Sequence, residues 1–188
     1  VTIVQAIRFT IVALLVLLPC SAPFAVWFRV PILLYHRLGP TVADGMAITT
    51  RVFESQMEYL HDNGFTVIPL RRLIDCYRGR GGALPQKPVV IVADDAHSSV
   101  YGKMLPIVRR YRYPVTLFVY PSAIFNAQYA MTWEQLRELK GSGLFDIQSH
   151  TYWYPNFRSE WKQWTAGDFD RFVASQLRKS KLRLESEL

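Results

Sequence analysis

Two apolar runs, VVIVA (Val89–Ala93) and VTLFV (Val115–Val119), constrain this chain more than any other feature. Both are β-branched and continuous rather than alternating, as expected of strands buried on both faces of a parallel sheet. Between them lies KMLPIVRRY, a helical stretch with Pro106 near its start, where proline is tolerated. Strand, helix, strand of this kind is a right-handed βαβ unit, and it commits the chain to an α/β fold with a parallel sheet or barrel.

The rest of the chain continues the alternation. PILLYH (31–36) is a short strand, and TTRVFESQMEYLHDNG is a helix capped by Thr50, with Phe53, Met57 and Leu60 inward and Gly64 as its stop. FTVIPL is a strand, RRLIDCYRG a short helix, and GRGGALPQKP a loop. TWEQLRELKGSG is a helix whose Thr132 and Gln135 have capping-box spacing. LFDIQSH is a further strand. From Thr165 to Leu188 the pattern predicts a long amphipathic helix with Phe169, Phe172, Val173 and Leu177 on its apolar face.

Composition narrows the compartment and the partners. With half of its 188 residues hydrophobic, the chain can build one substantial core. The net charge of +7 is a mild basic bias toward anionic polymers or lipid surfaces, but no nucleic-acid-binding motif accompanies it. Cys20 and Cys76 form no metal spacing and no disulfide framework. Residues 1–29 carry an uncharged stretch from Phe9 to Phe28, bounded by Arg8 and Arg29 and broken by Pro19 and Pro23. It reads as a signal peptide or an N-terminal membrane anchor, so the remaining domain, 30–188, is expected to be exported, to the periplasm or another extracytoplasmic space.

In parallel α/β folds chemistry collects at the C-terminal ends of the strands. His36, Asp94, Asp95, His97 and His150 all fall at such ends. Adjacent carboxylates with imidazoles can hold a divalent metal and a water beside a base. Two other readings share the same residues: a helix N-cap built by the Asp pair, and a magnesium-binding Asp pair of a phosphotransfer domain.

The order LLYHRLG, FESQMEYLHDNGFTVI, KPVVIVADDAHSSVYGKMLPIVRRYRYPVTLFV and MTWEQLRELKGSGLFDIQSHT resembles the polysaccharide deacetylase family, the NodB-homology domain of carbohydrate esterase family 4. The resemblance covers Pro31 to Leu188. It implies a distorted (β/α) barrel, here partial, and metal-dependent hydrolysis of N-acetyl groups on a cell-surface or extracellular polysaccharide. It also implies that Asp94 is the general base and that Asp95 and His150 are ligands of a divalent metal, zinc first. Where the family has a second histidine ligand this chain has Tyr154. Tyr154, His97 and His36 are therefore the candidate substitute ligands, and Tyr152 and Trp153 the candidate substrate contacts. Two further departures are Ala93 for a phenylalanine and Ala96 for a glycine, the latter costly if its φ is positive. Family motifs that follow His150 are not found before Leu188, which implies a fragment of a longer protein or a chain completed by a partner. The alternative to an N-deacetylase is a catalytically inactive member, a pseudoenzyme or carbohydrate-binding fragment that has lost its metal.

Overall fold

The structure, a computed structural model, describes residues 29–188. The predicted signal peptide or anchor lies outside the described residues apart from Arg29. Strand β1 (Ile32–Tyr35) pairs with β5 (Pro88–Ala93), β5 with β6 (Val115–Val119), and β6 with β7 (Phe145–Ser149), every pair parallel. β4 (Thr66–Val67) adds to the start of β5, giving the five-stranded sheet of a partial barrel. A parallel ribbon of β2 (Arg37–Gly39) and β3 (Ala47–Thr49) stands apart from it.

β5 earns its unbroken apolar run by facing two cores. Ile91 and Ala93 enter the larger cluster with Phe53, Met57, Val108, Leu117, Leu136 and Leu139. Val90 and Val92 pack with Ile68 and Phe118 on the opposite face. The helices on the larger core follow the sequence closely. In α1 (Thr50–Asp62), Phe53, Met57 and Leu60 are buried as the spacing requires, but the cap is Thr49, whose hydroxyl accepts from Val52 N at 3.2 Å. A wide π turn, Val100–Met104, leads into α3 (Leu105–Tyr111), where Pro106 at the second position lacks an N–H that the helix start would leave unbonded. In α4 (Trp133–Gly141) the capping box is complete, with Thr132 and Gln135 bonded to each other's backbone N–H at 3.0 and 3.3 Å.

The smaller face is less covered. α2 (Leu70–Tyr77) lies over it, while Ile32 and Leu34 on edge strand β1 remain 52% and 53% exposed. No described helix is long and apolar enough to cross a membrane.

The last helix, α6 (Ala166–Glu187), corrects the sequence expectation. Its buried stripe is Gln176, Ser180 and Leu184, spaced by four, while Leu177 is exposed. Phe169 and Phe172 instead join Trp153, Phe157, Trp161 and Trp164 in a separate aromatic cluster around the four-residue helix α5 (Phe157–Glu160).

Candidate active site

The C-terminal ends of β1, β5, β6 and β7 bring His36, Asp94, Tyr120 and His150 to one edge of the sheet. Asp94 extends the β5 pairing: its N–H donates to Tyr35 O at 2.9 Å, fixing it beside the end of β1. The strand then breaks abruptly. Asp95 and Ala96 both lie in the left-handed region, at φ +69° and +53°, so the two carboxylates leave the backbone in different directions. His150 is held by its own N–H to Val119 O at 2.8 Å. Its Nε2 stands 3.7 Å from Asp94 Oδ2 and 3.8 Å from Asp95 Oδ1. The structure thus brings together the predicted base and both predicted ligands.

The electrostatics of this cluster are unfinished by the protein alone. Asp94 Oδ1 and Asp95 Oδ1 are buried without a hydrogen-bond partner. Burial raises the Asp94 pKa above its ordinary value; His150 and His36 pull it down, and Asp95 pushes it further up. Two buried carboxylate oxygens without partners, one of them Asp95 Oδ1 at 3.8 Å from His150 Nε2, are the arrangement a cation would satisfy. The donor set is short, however. Among the described residues no three His, Cys, Asp or Glu side chains form a metal-holding group. The residues fit a divalent cation held by Asp95 and His150, one protein ligand fewer than catalytic zinc sites carry.

The three candidate substitutes stand differently. Tyr154 does occupy the neighbouring slot: its ring centroid is 4.5 Å from that of His150 and it stacks on Tyr120 at 5.7 Å. His97 uses Nδ1 within its own turn, accepting from Ser99 N at 3.1 Å and meeting Ser99 Oγ at 2.9 Å. That nitrogen is not free for a metal. His36 is near enough to Asp94 to lower its pKa, and it lines a pocket of 220 Å³ with Arg37, Asp95, His97 and Tyr129. Of the candidate substrate contacts, Trp153 meets Phe172 edge-on, and Tyr152 lines a hollow beside Lys179, Leu182 and Arg183 on α6.

Sequence reasoning passed over Tyr120, Tyr129 and Arg37. The hydroxyls of Tyr120 and Tyr129 bond each other, and burial followed by that bond raises the Tyr120 pKa, so its phenol stays neutral. The signal for Tyr120 was available, because it ends a buried strand just as Asp94 and His150 do. The signal for Arg37 was not, since its place depends on the β2–β3 ribbon.

Ala96 sits, fully buried, at a φ that alanine reaches only at a cost of about 1–2 kcal/mol. Glycine would remove that cost and lose about 0.4–1 kcal/mol through the freer unfolded chain. Glycine also deletes a fully buried methyl of the larger core, a loss of about 0.8 kcal/mol, so Ala96→Gly is expected to leave stability within about 1 kcal/mol of wild type. A urea midpoint close to wild type, with an unchanged denaturant slope, would show it.

The parallel α/β sheet carries its carboxylate pair and imidazole at the C-terminal strand ends, where such folds place their sites. The chain belongs to the polysaccharide deacetylase family, whose sequence profile matches residues 81–184. It is 26% identical over 134 residues to the poly-β-1,6-N-acetyl-D-glucosamine N-deacetylase of Escherichia coli K12, covering 63% of this chain and 20% of that protein. It is 27% identical over 110 residues to the Staphylococcus epidermidis enzyme of the same name, covering 56% of this chain and 37% of that one. Among solved structures, IcaB from Ammonifex degensii superposes with a TM-score of 0.72 at 27% identity, covering 84% of this chain and 69% of that one. The chain thus spans less than half the length of the two N-deacetylases it matches.

Proposed function

We propose that this chain is the N-terminal part of the catalytic domain of an exported polysaccharide N-deacetylase, acting on a polymer of N-acetylated amino sugars. The single observation that supports this most is the convergence of Asp94, Asp95 and His150 within 4 Å at the strand ends of a deacetylase-type sheet. Asp95 and His150 would hold a divalent cation, zinc first, which supplies Lewis acidity toward the acetamide oxygen. Asp94 accepts the proton of the water that adds to the carbonyl carbon. The carbon–nitrogen bond then breaks, acetate leaves, and the proton held by Asp94 is available to the departing amine. The raised Asp94 pKa suits this role, since a stronger base accepts the proton more readily. The exposed flank of β1 supports the further reading that additional chain, from the same protein or a partner, closes the barrel there.

The test is metal content by mass spectrometry together with acetate release from a β-1,6-linked N-acetylglucosamine polymer, with zinc supplied. Acetate release that disappears with a chelator and returns with metal is the expected result. Metal-free protein that releases no acetate under any loading would overturn the catalytic reading and leave an inactive family member, the outcome that Tyr154 in place of a second histidine favours.

A further inference from the structure

The buried stripe of α6 is chemically odd. Ser180 is 0% exposed and Gln176 is 5% exposed, while Leu177 and Leu182 on the same helix are more than half exposed. Leu184 seats the C-terminal part of the helix in the larger core, but the two buried polar members of the stripe must be explained by where their polar atoms go. Both go to the loop that carries His150. Ser149 Oγ donates to Ser180 Oγ at 2.7 Å, and Trp153 N donates to Gln176 Oε1 at 3.3 Å.

That loop needs holding. Thr151 and Tyr154 both have positive φ, at +68° and +60°, conformations that cost non-glycine residues energy and persist only when surrounding contacts over-determine them. The contacts are nearly complete: His150 N to Val119 O, Thr151 N to Ser149 Oγ, Tyr154 N to Thr151 Oγ1, and Ser122 N to Tyr152 O. Ser149 Oγ is shared, since it also meets Ser180. The α6 pair therefore fixes both ends of the loop, one residue before the imidazole and three after it.

We infer that Gln176 and Ser180 are positioning residues for the site: α6 sets the direction of His150 toward Asp94 and Asp95 by clamping loop 149–154. The inference rests on reading His150 as a functional side chain, and neither Gln176 nor Ser180 touches the reacting groups. It makes α6 part of the site rather than a packing helix.

The experiment is residue-resolved amide hydrogen exchange on the full chain, comparing wild type with Gln176→Ala, Ser180→Ala and Ser149→Ala. Loss of one clamp bond should speed exchange at Thr151 and Trp153 by about tenfold while the amides of β5 and β6 hold within about twofold. The His150 ring resonances should shift in the same variants. Ser149→Ala and Ser180→Ala should not add when combined, because they remove the same bond. Exchange that rises equally in β5 and β6 would mean a merely structural role and overturn the inference, as would an unchanged loop. Should Ser180→Ala not fold, Gln176→Ala carries the test alone. These readouts need no turnover, so their failure is distinguishable from a failure to release acetate.

Discussion

Asp94→Asn is expected to lower acetate release by about 10²- to 10⁴-fold, the usual contribution of a positioned general base. Asparagine keeps the shape of the side chain, so Asp94 N should still bond Tyr35 O and the fold should survive. What disappears is the basic oxygen. The carboxylate also faces Asp95 and His150, and removing its charge weakens the attraction on the imidazole at 3.7 Å. Metal retention by the variant separates the two effects: a base lost with the cation still bound shows as a fall in kcat at unchanged metal content. Undiminished acetate release would remove Asp94 from the mechanism altogether.

Much of this site was legible because one rule did most of the reading. Parallel strands put functional side chains at their C-terminal ends, and β5 and β7 are both evident as strands, so the sequence alone gathers Asp94, Asp95 and His150. The Thr132–Gln135 capping box was legible for a similar reason, since both partners lie within one turn. The failures share a different cause. Periodicity sees only apolar residues, so it placed Phe169, Phe172 and Leu177 on the buried face of α6. The real buried stripe is polar, made tolerable by bonds to Ser149 and Trp153 that no local pattern encodes. What local spacing did not encode about His97 is its turn: after the paired positive φ values at Asp95 and Ala96, its Nδ1 accepts from Ser99 N. Thr49 and Thr50 are chemically equal as caps, and only backbone geometry chooses Thr49.

Tyr154→His is expected to strengthen zinc binding by about a hundredfold or more, because on the proposed reading it adds a third protein ligand to Asp95 and His150. The backbone favours the change. Tyr154 lies at φ +60°, and histidine enters the left-handed region more readily than bulky residues do. The ring it replaces is 54% exposed, so little core packing is lost, although the stack on Tyr120 contributes about 0.5–1.5 kcal/mol that an imidazole recovers only in part. Position 154 packs against His150, whose Nε2 lies 3.8 Å from the orphaned Asp95 Oδ1, and a cation bound there would relieve the repulsion of Asp95 on Asp94. At zinc concentrations near 100 times the variant's dissociation constant, binding should add about 2.7 kcal/mol of stability, visible as a zinc-dependent rise in Tm several times larger than that of wild type. Adding His150→Ala to the variant should abolish that rise, which ties the metal to this pair of imidazoles rather than to the surface. A Tyr154→His protein that binds no more zinc than wild type would place the deficit elsewhere: in the backbone at Ala96, whose strain Ala96→Gly relieves, or in the unclosed flank of β1.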